Sequence, residues 1–251
     1  MKKQTSALFF ALALLPTAAM ASSPWSDLQL KARVGYSIGA TAPLGIPATI
    51  RGIESFTPTA NILAGIDAAL PLSEKWGVQA ALHFENKGMD GEVTTKGYHM
   101  RLRMDDSEME GYYTGHVRQK VQEWMVTLPI QATLQLSRVV QLKAGPYLSV
   151  LLSRDFSGYA SDGYLRKDTP TGQKVVMGTN EDEWATYDFS EEMRHLHVGI
   201  DVGADFRVAN RLCVGADLSW GLNGILKSSF KTVEQTLYPI YGTVSVTYQI
   251  K

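Results

Sequence analysis

Residues 196–208 read Leu-His-Val-Gly-Ile-Asp-Val-Gly-Ala-Asp-Phe-Arg-Val. Side chains of an extended strand point alternately to opposite faces, so Leu196, Val198, Ile200, Val202, Ala204, Phe206 and Val208 share one face. His197, Gly199, Asp201, Gly203, Asp205 and Arg207 share the other. One face is wholly apolar and the other is polar, charged or without a side chain, so this strand divides two different environments. It is also long enough to cross a bilayer, which takes roughly 9–11 tilted residues.

The same period recurs in seven more segments. Leu28, Leu30, Ala32, Val34, Tyr36 and Ile38 alternate with Gln29, Lys31, Arg33, Gly35 and Ser37, and residues 76–85, 124–135, 140–150, 212–222 and 240–250 follow the same pattern. Residues 62–70 follow it less cleanly, because Leu63 and Ala69 fall on the polar side. Pro129 and Pro146 interrupt two segments; proline cannot donate to a ladder hydrogen bond, which predicts a bulge or local break at each. The links alternate in length, short at 71–75, 137–139 and 209–211 and long at 39–60, 86–123, 151–195 and 223–239. Short turns at one end and long loops at the other are the pattern of a barrel in an outer membrane. Lipid cannot satisfy an open sheet edge, so the sheet must close. The predicted fold is all-β: an eight-stranded antiparallel up-and-down transmembrane β-barrel with long external loops.

Aromatic residues on the apolar faces test this reading, since such rings collect at the two membrane interfaces. With the first strand running outward, Tyr36, Phe84, Trp124 and Trp220 fall at the long-loop end. Trp76, Phe206 and Tyr248 fall at the short-turn end, and none of the seven is central. A secreted lipocalin-like barrel is the alternative. It would turn the apolar face inward and leave Lys31, Asp67, Glu85, Lys143 and Asp201 in water.

The chain starts with Lys2 and Lys3, an apolar run from Ala7 to Leu15, and the small-residue motif Ala19-Met20-Ala21. These are the parts of a secretory signal, so residues 1–21 are expected to be cleaved as a signal peptide and 22–251 to form the barrel domain. Removing them leaves 22 bases against 25 acids, a net charge of −3. That balance argues against nucleic acid as a partner, which needs a basic face. The single cysteine, Cys213, excludes an internal disulfide and a cysteine-based zinc cluster. The mean hydropathy of −0.09 excludes a helical membrane protein but not a barrel, because alternating faces average to the same value.

Several short pieces resemble the small porin-like outer-membrane β-barrels of the PorT type from Bacteroides-like bacteria. They are Leu82-His83-Phe84-Glu85-Asn86-Lys87-Gly88, Leu128-Pro129-Ile130, Ala144-Gly145-Pro146-Tyr147-Leu148, Asp201-Val202-Gly203-Ala204 and Leu218-Ser219-Trp220-Gly221-Leu222-Asn223. The resemblance implies an eight-stranded barrel in the outer membrane of a Gram-negative bacterium, without a defined activity for most members. A role as a secretion-system accessory is implied for the founding member only. The chain departs from the common terminal Phe or Tyr, since Gln249, Ile250 and Lys251 follow Tyr248.

An eight-stranded barrel is filled by its own side chains. Its inward set would hold Lys31, Arg33, Lys143 and Arg207 with Asp67, Glu85, Asp201, Asp205 and Asp217, and buried charges must pair, so a structural ion-pair network is expected. His195 and His197 lie two apart and therefore on one face of a strand, with Asp201 and Asp205 farther along it, which predicts interior hydrogen bonding with His195 near the rim. Residues four apart on a strand stand about 13 Å from one another, so Asp201 cannot share a metal ion with His197. Ser190, Glu191 and His195 are of the residue types that a lipid-modifying hydrolase or acyltransferase would use. The second loop alternates Tyr98, Met100, Leu102 and Met104 with His99, Arg101 and Arg103, which predicts a hairpin continuing above the membrane toward Tyr112 and Tyr113. The third loop carries Glu181, Asp182, Glu183, Asp188, Glu191 and Glu192 interleaved with Trp184, Tyr187 and Phe189. It reads as a solvated face, with docking of a partner, sugar or calcium as the alternative.

The sequence therefore predicts a non-enzymatic membrane scaffold or binding protein acting through its external loops. An outer-leaflet lipid-modifying enzyme and a secretion-system accessory barrel are the alternatives. No catalytic, cofactor-binding or metal-ligating residue is assigned, and no cofactor. The expected partners are outer-membrane lipid, the barrel assembly machinery and an unidentified protein outside the cell or in the periplasm.

Overall fold

A computed structural model describes residues 27–104, 107–233 and 235–251; the expected signal peptide lies outside the described residues. The elements are β1 (Gln29–Pro43), β2 (Ile50–Pro58), β3 (Asn61–Pro71), β4 (Trp76–Met104), β5 (Ser107–Gln135) and β6 (Val140–Lys167). They continue with β7 (Lys174–Met177), β8 (Ala185–Asp188), β9 (Leu196–Ala209), β10 (Leu212–Gly221) and β11 (Leu237–Gln249). Eight of them form a ring in the order β1, β3, β4, β5, β6, β9, β10, β11, and β11 pairs back onto β1. Every pairing in the ring is antiparallel and joins strands consecutive in the ring. The predicted eight-stranded up-and-down barrel is the observed one. The start of β1 meets the last residues at the short-turn end, where the Leu30 N–H donates to the Lys251 carbonyl oxygen.

The ring is inside-out relative to a soluble domain. Ile200, Val202, Val246 and Leu82 point outward and are exposed, whereas Arg33, Asp67, Lys143 and Asp205 point inward and are buried. A lipocalin-like barrel requires the opposite arrangement, so that alternative is excluded. The aromatic residues fall where the sequence placed them. Trp76, Phe206 and Tyr248 are exposed at the short-turn end, Tyr36 and Trp220 are exposed toward the other, and Phe84 stacks on Trp124 with ring centroids 5.2 Å apart.

Beyond the membrane span the chain builds a second structure. β4 and β5 each run for 29 residues, nearly three times what a membrane crossing needs, and stay paired up to Met104↔Ser107. The hairpin predicted from Tyr98 to Met104 is thus present. Three more strands edge it: β2 on β4, β7 on the upper part of β6, and β8 between β6 and the Arg103 end of β4. Long connections at 39–60 and 151–195, read from sequence as loops, therefore contain β2, upper β6, β7 and β8. The strand signal was weak there because these segments pair above the bilayer, where no lipid face imposes strict alternation.

This head has the hydrophobic core that the barrel lacks. Met100, Leu102, Tyr113, Val121, Phe156, Leu165, Tyr187, Phe189, Met193 and Ile225 pack together and are buried. Tyr187 reaches over Gly158, its β6 partner, and its hydroxyl donates to the Arg118 carbonyl oxygen at 2.9 Å. A Cβ on Gly158 would collide with that carbonyl and with the Tyr187 ring.

The two prolines break the ladder without shifting it. Opposite Pro129, β4 and β5 are unpaired between Ala80↔Ile130 and His83↔Thr127, in unchanged register. Opposite Pro146, β5 and β6 are unpaired between Pro129↔Tyr147 and Ala132↔Ala144. The bulges of these two pairings lie higher, at Thr95/Tyr98, Thr114/His116 and Trp124/Met125, where the wall leaves the membrane and bends into the head; another lies at the short-turn end, at Leu212/Cys213.

Candidate functional site

Two regions hold the chemistry-bearing side chains, the lumen and the head. In the lower lumen Arg33 donates from Nε to Asp67 at 2.7 Å and lies 3.3 Å from Asp205 and 3.4 Å from Asp217. Lys143 sits 2.9 Å from both Asp205 and Asp217, and His83 is 2.8 Å from the second Asp67 oxygen. Strand alternation delivers each group from a different stave of the ring, and the glycines between them clear the room. Two cations thus share three carboxylates, which is the core of the expected network; Lys31 and Arg207 stand outside it, Arg207 being exposed at the short-turn end. Removing any one member would strand a charge in a region that water cannot reach freely.

A second group, higher in the lumen, contains two residues that the sequence reading passed over. Lys87 pairs with Glu85 at 3.3 Å and lies over the rings of Tyr147 and Tyr241 at 5.4 and 5.6 Å. Glu123 faces His197 at 3.6 Å. Both residues sit just beyond the segments assigned as strands, and continuing the period from Glu85 and Met125 by one step would have found them. Between the two groups the lumen keeps a cavity of about 30 Å³, lined by Arg33, His83, Glu85, Lys87, Lys143 and Asp201 among others. That holds about two waters, not a continuous column.

The histidines do not converge. His197 is buried in the lumen, whereas His195 precedes β9, is exposed and sits 2.9 Å from an Arg154 Nη atom. Alternation placed both on one face, but the strand begins at Leu196, so the period does not reach His195. Among the described residues no three His, Cys, Asp or Glu side chains are grouped to hold a metal ion. Nor does any side-chain hydrogen bond among the described residues join Ser190, Glu191 and His195: the Ser190 hydroxyl accepts from the Phe156 N–H, and the His195 ring is held by Arg154. With Arg154 donating to its ring nitrogen, His195 has no lone pair to offer as a base.

On the head, the third connection sorts its residues by face. Tyr187 and Phe189 turn into the core, while Glu181, Asp182, Glu183, Asp188 and Glu191 stay exposed. Glu192 and Trp184 are half-exposed, and Trp184 stacks on Tyr159 at 4.0 Å between ring centroids. Beside it Arg118 grips Asp90 with two hydrogen bonds of 2.9 Å, which hold the Asp90 carboxyl below the usual carboxylate range. Burial pushes the Tyr187 phenol up, consistent with a structural hydroxyl.

A closed ring of eight strands, polar within and apolar without, with short turns at one end and long extensions at the other, defines an outer-membrane β-barrel protein. The chain belongs to the outer membrane protein beta-barrel domain family, whose model matches residues 18–227. Among solved structures it is similar to Ail, the attachment invasion locus protein of Yersinia pestis, in complex with the heparin analogue sucrose octasulfate. The identity is 9%, the match covers 89% of this chain and 99% of that one, and the TM-score is 0.37. It is also similar to neisserial surface protein A, at 7% identity over 90% and 98% of the two chains with a TM-score of 0.36. Likenesses of this degree say nothing of ligand or activity. No curated protein matches the chain.

Proposed function

We propose that this protein is a non-enzymatic outer-membrane barrel that holds a rigid head above the cell surface as a binding platform. The observation that carries the reading is the separate hydrophobic core of the head, from Met100 to Ile225. Mobile loops need no such core; a surface that must keep its shape for a partner does. The engagement of His195 by Arg154 and of Ser190 by Phe156 supports a non-enzymatic role over a lipid-modifying one. The filled lumen supports a scaffold over a pore. Outer-membrane lipid and the assembly machinery are its proposed partners, with export through a signal peptide cleaved after Ala21. The finer placement in the PorT type belongs to this proposal and is carried by the short segments around Phe84 and Pro146. Lipid A from cells producing His195→Ala should give the same mass spectrum as lipid A from wild-type cells. A shifted acyl or phosphate pattern in the mutant would replace this reading with the enzymatic one.

A further inference from the structure

Lys31 projects from β1 into the lumen near the short-turn end, with 9% of its surface exposed. Its ammonium has no hydrogen-bond or ion-pair partner among the described residues, although Arg33, Lys87 and Lys143 each have one. Asp205, the neighbouring carboxylate, is already engaged, through one oxygen by Lys143 and through the other by Arg33. Lys31 lines a cavity of about 120 Å³ that opens between the short turns. Its wall also carries Gln29, Thr133, Arg207, Cys213 and Asp205 itself, the Asp205 charge being neutralised by Lys143 and Arg33. Arg207 stands exposed at the rim and has no carboxylate partner among the described residues, while Glu74 and Lys75 of the turn after β3 offset one another in charge.

A nearly buried ammonium is tolerated when something completes its shell of acceptors. The cavity has room for several water-sized groups, enough for a small tetrahedral anion. We propose that this cup at the periplasmic mouth binds an oxyanion of the phosphate class, with Lys31 at its floor and Arg207 at its rim. The inference rests on the barrel reading but not on the binding role of the head.

Cys213 in the wall provides the reporter. In full-length protein folded in zwitterionic lipid discs, the thiol is modified by an anionic or a cationic methanethiosulfonate reagent, each rate normalised to a free thiol. The anionic reagent should react about tenfold faster, the scale on which a charged cleft focuses ions, and millimolar phosphate should slow it several-fold. Sodium chloride at equal ionic strength should slow it far less. Lys31→Gln should abolish both the preference and the phosphate effect while the barrel keeps its heat-modifiable gel mobility. Should Lys31→Gln fail to fold, the exposed Arg207→Gln should at least halve the preference. Protection in phosphatidylglycerol discs without added phosphate would assign the oxyanion to a lipid headgroup; protection only by dissolved phosphate would assign it to a soluble ion; either supports the site. Equal rates for the two reagents, or slowing by chloride equal to that by phosphate, would overturn it.

Discussion

Arg33 is where the physics of the lumen concentrates, because its guanidinium meets Asp67, Asp205 and Asp217 at once. Replacing one member of a buried ionic group leaves the others unpaired, at a cost of about 3–5 kcal/mol. Arg33→Leu should therefore lower the unfolding free energy obtained from urea titration in vesicles by that order, and adding Asp67→Asn should restore part of the loss. The Asp90–Arg118 pair is a contrasting case. The Asp90 carboxyl is depressed in the folded state, so its contribution is present above the ordinary carboxylate range and fades as pH falls through its lowered value. The pair is largely exposed, and exposed pairs contribute little. Arg118→Gln should thus loosen the head only slightly at neutral pH, and the difference from wild type in protease resistance should vanish in acid.

At the scale of the element, lipid-facing and head-facing stretches behave differently. Val202 lies in the middle of β9, outward, paired with Ala144 and Leu218. Val202→Arg should cost about 2–4 kcal/mol, as an arginine at the bilayer midplane does, read again from the urea titration. In the head, Gly158→Val should unseat Tyr187 and detach β8, seen as new protease cleavage near residue 185 while the barrel remains intact. The same division explains what the sequence revealed. All eight ring strands were readable because lipid on one side and polar groups on the other impose a strict period of two. β2, β7 and β8 were not, because Ile53 and Phe56 of β2 face water beside Glu54 and Ser55, and the period dissolves. His195 was misplaced by extending a period one residue past the strand that causes it. Lys87 and Glu123 were missed by stopping one step short.

At the scale of the whole molecule, the ordinary arrangement of protein interiors is split in two. The membrane half keeps its charges inside and its apolar groups outside, and the head reverses this. Such a closed ring should run anomalously fast on gels unless heated, and a lumen that narrows, between its two ionic groups, to a cavity with room for about two waters should pass no steady current in planar bilayers. Sustained conductance would require the Arg33 and Lys143 network to open. The most direct test of the account returns to residues 196–208. In a Cys213→Ser background, single spin labels placed at each position of β9 in lipid discs should report accessibility to oxygen, which dissolves in lipid. The account predicts a period of two, with high oxygen accessibility at Val198, Ile200, Val202 and Ala204 and low accessibility at Gly199, Asp201 and Gly203. The opposite phase, or no period at all, would contradict it.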